Sequence, residues 1–96
     1  LWEFIQSDSV YANKTTLFIT NDHGRHSKGR RDGFISHGDN CTGCRSIYLV
    51  ALGPDFKVGK EINVGYDLID IPATISEMLH FDMPTARGKV MTELFR

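Results

Sequence analysis

Apolar positions in this chain gather into two unbroken runs, Leu17-Phe18-Ile19 behind Thr15-Thr16, and Ile47-Tyr48-Leu49-Val50-Ala51-Leu52. Runs rich in β-branched and aromatic residues, without alternation, are the pattern of strands covered on both faces in an α/β sheet. They predict strands over residues 15–20 and 46–52, the second closed by the stop signal Gly53-Pro54-Asp55. Elsewhere the period changes. Leu1, Trp2, Phe4, Ile5 and Ser9 recur at helical spacing, so residues 1 to about 9 read as the end of an amphipathic helix. Farther along, Ile71, Ile75, Met78 and Leu79 mark the core face of a helix that Asp70 is placed to cap and that runs to about His80. Pro72 sits in its first turn, where a missing N–H is tolerated. Asp82-Met83-Pro84 ends it, and Val90, Met91, Leu94 and Phe95 predict a short terminal helix or docking tail.

Residues 21–45 carry no apolar periodicity and hold glycines at 24, 29, 33, 38 and 43, which predicts a long loop. Ordered loops of this length tend to be functional. Strands covered on both faces need neighbours, yet a two-stranded sheet is marginal in water and a small core barely offsets chain entropy. The expectation is therefore a single partial domain over residues 1–96, the C-terminal segment of a larger α/β domain, and the opening Leu1-Trp2 agrees with it.

Composition changes this picture little. With 41% hydrophobic and 24% charged residues among 96, the chain fits one soluble globular unit and not a disordered or coiled-coil segment. A formal net charge of -1 argues against a nucleic-acid polymer as partner, since that attraction needs a clear excess of Lys and Arg. No apolar stretch approaches the roughly 18 residues of a membrane-spanning helix.

The candidate chemistry lies where the first strand runs out. Asp22 and His23 directly follow Phe18-Ile19-Thr20-Asn21, and a further imidazole, His37, comes from the loop beyond. In open α/β sheets ligands gather outside the carboxyl ends of strands. Carboxylate and imidazole donors suit zinc, manganese or iron. Neighbouring strand residues point to opposite faces, so Asp22 and His23 share an ion only if the backbone leaves the extended state, which Gly24 permits. A polar strand-end turn with no ion is the competing reading of the same triplet.

The ordered set Phe18-Ile19-Thr20-Asn21-Asp22-His23-Gly24, Ser36-His37-Gly38-Asp39, Arg45-Ser46-Ile47 leading to Gly53-Pro54, and Asp70-Ile71-Pro72-Ala73-Thr74-Ile75 resembles the C-terminal part of the alkaline phosphatase superfamily. Its members include phosphatases, phosphodiesterases, sulfatases and cofactor-independent phosphoglycerate mutases. The resemblance implies a three-layer α/β/α sandwich of the alkaline phosphatase type, incomplete over these residues, and a site with two divalent metal ions, zinc or manganese. Asp22 and His23 would bind the ion beside the nucleophile, and His37 the other. It implies metal-dependent hydrolysis of a small-molecule phosphate ester, by a phosphodiesterase or phosphatase. A sulfatase, a mutase-like transferase and a non-catalytic structural or binding fragment are the alternatives. A Ser or Thr nucleophile and the remaining ligands would come from upstream sequence, so the 96 residues alone are expected to be inactive. A periplasmic or extracellular location is favoured by the resemblance.

Beside the site, Arg25, His26, Lys28, Arg30 and Arg31 crowd cations into seven residues. Most such runs are solvated surface. Arg25 and His26, nearest the ligands, are the candidate substrate contacts, because guanidinium groups bind phosphate oxygens well. Asp39 is expected to orient His37 or to cap the loop. Cys41-Thr42-Gly43-Cys44 reads as a redox pair, half a zinc site lacking a second cysteine pair, or ordinary loop cysteines. Export would favour a local disulfide and a cytosolic setting free thiols.

Overall fold

The computed structural model describes residues 1–29 and 32–96; Arg30 and Arg31, two of the expected cations, lie outside the described residues. The chain mixes helices with a two-stranded sheet and divides into two compact units. One, the sheet unit, is Thr15–Leu52; the other, the helix unit, is Leu1–Lys14 with Gly53–Arg96. No described helix is long and apolar enough to cross a membrane.

In the sheet unit, β1 (Leu17–Thr20) pairs antiparallel with β2 (Leu49–Leu52), Leu17 opposite Leu52 and Thr20 opposite Leu49. Both strands are shorter than the apolar runs predict. The cover expected on both faces is not found among the described residues, since Ile19 and Val50, paired across the sheet, are both exposed. Polar side chains extend the pairing past the strand ends. The Thr20 hydroxyl donates to the Tyr48 carbonyl at 2.6 Å, and Asn21 accepts the Tyr48 N–H at 2.8 Å through Oδ1. The Asn21 amide donates in turn to the carbonyls of His23 (3.0 Å) and Ser46 (3.3 Å), so one side chain ties the end of β1 to the approach of β2. Such side-chain bonds satisfy backbone groups that the ladder no longer reaches.

Residues 42–45, expected as loop, form a one-turn helix, α2 (Thr42–Arg45). Cys41 caps it, its sulfur accepting the Cys44 N–H at 3.2 Å. A single turn has no apolar stripe, which is why periodicity does not reveal it.

In the helix unit, α1 covers Trp2–Ser7, ending before Ser9 because Asp8 turns extended and takes the Val10 N–H at 2.8 Å. Helix α3 (Asp70–Leu79) falls where the sequence places it, but Asp70 works differently from a simple cap. Its buried carboxylate reaches back to the Asp67 N–H in the turn before the helix and across to the Lys89 N–H, both at 2.7 Å. The inner face of α3 also differs from expectation. Ala73 and Thr74 are its buried centre, whereas Leu79, assigned to the core face, is 68% exposed. Leu79 stands in the last turn, just before the chain leaves the helix through His80 in the left-handed conformation (φ 54°, ψ 48°).

The tail closes the unit. Thr74 Oγ1 donates to the Asp70 carbonyl at 2.8 Å and accepts the Met91 N–H at 3.0 Å, which seats the Met91 side chain at only 2% exposure. A 3-10 turn, Thr92–Leu94, then brings Phe95 into an antiparallel bridge with Phe56, their rings 5.4 Å apart. Tyr66 donates its hydroxyl hydrogen to Glu93.

Candidate metal centre

Asp22 and His23 leave the end of β1 together, and the structure brings His37, fourteen positions on, against the His23 ring, although the donor atoms of the three expected ligands do not all come within 4.8 Å of one another. The His23 and His37 ring centroids are 3.8 Å apart, tilted by 37°. His23 Nε2 lies 3.6 Å from Asp22 Oδ2, while the other Asp22 oxygen accepts the His23 N–H at 2.9 Å. His23 Nδ1 is 2.8 Å from the Gly24 carbonyl. A carbonyl only accepts, so Nδ1 carries the hydrogen in this contact and Nε2 faces the carboxylate. Fixing one ring nitrogen on a backbone carbonyl is the usual way in which a ligand imidazole is oriented. The group is open: the Asp22 side chain is 84% exposed.

Glycine serves this turn by absence of bulk rather than by backbone freedom. A Cβ on Gly24 would stand 1.9 Å from the Gly43 carbonyl oxygen, and one on Gly43 would stand 2.3 Å from the Arg25 carbonyl oxygen. The segment after β1 and the α2 turn are thus packed backbone to backbone, locked by Gly24 N–H donating to the Cys44 carbonyl at 2.8 Å. Neither position tolerates a side chain without the two segments separating.

That packing builds a group of donors that the sequence did not disclose. His26 is 6% exposed, with Nδ1 2.6 Å from Asp32 Oδ1 and Nε2 3.5 Å from Asp39 Oδ2. Buried Cys44 completes the set: one donor atom each from His26, Asp39 and Cys44 lie within 4.8 Å of one another, a group that could hold a metal ion. Asp39 was expected to orient His37 or cap the loop; its Oδ1 accepts the Cys41 N–H at 2.8 Å, capping the approach to α2, while Oδ2 faces His26. His26, expected as a substrate contact, is enclosed between two carboxylates. Its hydrogen bond holds the Asp32 carboxyl below the usual carboxylate range. The two cysteines are free thiols. The Cys44 N–H aimed at its sulfur lowers the Cys41 pKa, whereas burial raises that of Cys44.

Arg25 remains exposed, and its guanidinium donates to the Ile35 carbonyl, holding the outgoing and returning arms of the loop together beside His26 N–H to the Ser36 carbonyl at 2.8 Å. The missed donors could have been sought from one signal, a Cys-x-x-Cys with a histidine and aspartates in the same glycine-rich loop. No family model matches the chain, and no curated protein or solved structure matches it.

Proposed function

We propose that this chain supplies part of the metal site of a metal-dependent phosphoric ester hydrolase, a phosphodiesterase or phosphatase of the alkaline phosphatase type. The supporting observation is that His23 stands between the other two expected ligands, its ring 3.8 Å from that of His37 and its Nε2 3.6 Å from Asp22 Oδ2. Two electron-pair donors facing each other call for a cation or a proton between them, and carboxylate with imidazole is a donor set that zinc or manganese fits. In this reading Asp22 and His23 hold one ion and His37 an adjacent one. When bound, the pair of ions neutralises charge on the transferred phosphoryl group and stabilises attacking and leaving oxygens.

The chain's own residues do the positioning. Asn21 anchors the turn that presents Asp22 and His23, and the Gly24–Cys44 hydrogen bond holds that turn against α2. The exposure of Asp22 leaves room for a substrate, and Arg25, at the surface of the same loop, offers guanidinium hydrogens to its phosphate oxygens. Of the nearby hydroxyls, Thr20 is committed to the Tyr48 carbonyl. The nucleophile and the remaining ligands are assigned to sequence of the full-length protein outside these residues, and the whole then forms the three-layer sandwich.

The test is elemental analysis of the full-length protein with a screen of phosphomonoester, phosphodiester and sulfate ester model substrates, repeated on Asp22→Ala and His37→Ala. Phosphate ester turnover that both substitutions abolish, at unchanged circular dichroism, is expected. Preference for sulfate esters would transfer the reading to a sulfatase, and wild-type turnover in either variant would reject the ligand assignment.

A further inference from the structure

Among the described residues, the buried interior of the sheet unit consists of a histidine and two cysteines, with Asp39 at its edge. Four features of this group point the same way. First, the His26 ring is oriented as a ligand: a carbon-bound acceptor, Asp32 Oδ1, occupies Nδ1 at 2.6 Å, leaving Nε2 turned toward Asp39. Ligand histidines characteristically give their far N–H to a carboxylate in this way. Second, the 3.5 Å between His26 Nε2 and Asp39 Oδ2 matches the edge of a zinc tetrahedron, about 3.4 Å for bonds of the usual length. Third, Cys44 Sγ falls within the same 4.8 Å group, so three donors of different chemistry already converge. Fourth, Cys41 and Cys44 have the two-residue spacing of chelating cysteines, and Cys41 Sγ, though outside the 4.8 Å group, is held beside it by the Cys44 N–H at 3.2 Å. The second ligand pair that a lone Cys-x-x-Cys lacks is present in the fold as His26 and Asp39.

We propose that the sheet unit carries a structural metal site in which His26 Nε2, Asp39 Oδ2 and Cys44 Sγ bind one zinc-like divalent cation and Cys41 Sγ closes the tetrahedron. It shares no ligand with the Asp22, His23 and His37 group and takes a softer donor set, since thiolates select zinc over magnesium, calcium or manganese. Binding releases the thiol protons to solvent as sulfur electron pairs are donated to the cation, with no change of oxidation state. The site fastens three segments: the start of the loop at His26, its return at Asp39, and the α2 turn. It explains why groups costly to bury make up the interior of a unit with so little apolar filling. Without an ion, His26 is hydrogen-bonded to Asp32 alone and only faces Asp39 across 3.5 Å.

The experiment uses full-length protein in two forms. X-ray absorption at the zinc edge of the protein as purified should show a sulfur shell at about 2.3 Å, and cobalt substitution should give a near-ultraviolet sulfur-to-cobalt charge-transfer band. Cys44→Ser and Cys41→Ser should each roughly halve that band and the double variant remove it, while Asp22→Ala and His37→Ala, which address the hydrolytic reading, should leave it at full strength. A zinc shell of nitrogen and oxygen alone, no band in the wild type, or a Cys41–Cys44 disulfide in the purified protein would overturn the proposal. The zinc-edge spectrum needs no variant, so misfolding of Cys44→Ser cannot mask the answer.

Discussion

In the helix unit the buried side chains are Phe56, Ala73 and Met91 with the hydrogen-bonded pair Asp70 and Thr74, whereas among the described residues of the sheet unit they are His26, Cys41 and Cys44. Apart from Gln6 Nε2, which is buried without a partner, the helix unit satisfies its buried side-chain polar groups internally: Asp70 takes two backbone N–H groups, and Thr74 both donates and accepts. Its order follows from apolar packing and completed hydrogen bonds, terms that need nothing from outside. The sheet unit differs. Its two strands leave Ile19 and Val50 exposed, and its interior is a set of electron-pair donors that repel or neutralise one another until a proton or cation is shared. Two regions of one chain thus have different sources of order, and perturbations should separate them.

The largest separation should come from metal removal. With the full-length protein equilibrated against a chelator, amide hydrogen exchange should accelerate across residues 21–45 and stay unchanged across 53–96. A site kept at 1,000 times its dissociation constant loses about 4 kcal/mol of protection when stripped. Equal acceleration in both regions, or none, would erase the contrast. Met91→Ala attacks the other side. Deleting a side chain buried to 2% should cost about 2–5 kcal/mol in chemical denaturation, with metal content unchanged.

A smaller effect, of opposite sign, is expected at the end of α3. His80 holds the left-handed conformation at φ 54°, which a side chain disfavours by roughly 1–2 kcal/mol. His80→Gly should therefore raise the unfolding midpoint by up to about that amount, and a lowered midpoint would mean that the imidazole makes a contact worth more than the strain.

The smallest effect concerns pH. Hydrogen bonding to Glu93 pushes the Tyr66 hydroxyl up to about 12, and the same bond lowers the Glu93 carboxyl below its ordinary 4.5. The Tyr66 contribution to stability is present below pH 10 and lost as pH climbs toward about 12; that of Glu93 is present above 4.5 and lost below it. Tyr66→Phe should flatten both limbs of the stability profile, while an unflattened profile would assign the dependence to other groups.

How legible this was from sequence follows the same division. The strand positions and the span of α3 could be read because apolar runs and helical periodicity report packing, although neighbours decide the details: Leu79 has the right spacing for a core face and is exposed. The contact of His23 with His37 is a loop-closure event that no period in the sequence reports. The His26, Asp39 and Cys44 group was hidden more deeply. It depends on two glycines allowing backbone contact at Gly24 and Gly43 and on a one-turn helix, none of which leaves a period in the sequence.

The hydrolytic reading is tested most directly by turnover of a phosphodiester model substrate by the full-length protein before and after chelation, with His37→Ala in parallel. Activity should vanish on chelation, return with zinc or manganese in the wild type, and fail to return in the variant. Undiminished turnover by the chelated protein, or restoration of His37→Ala to the wild-type rate, would contradict the account.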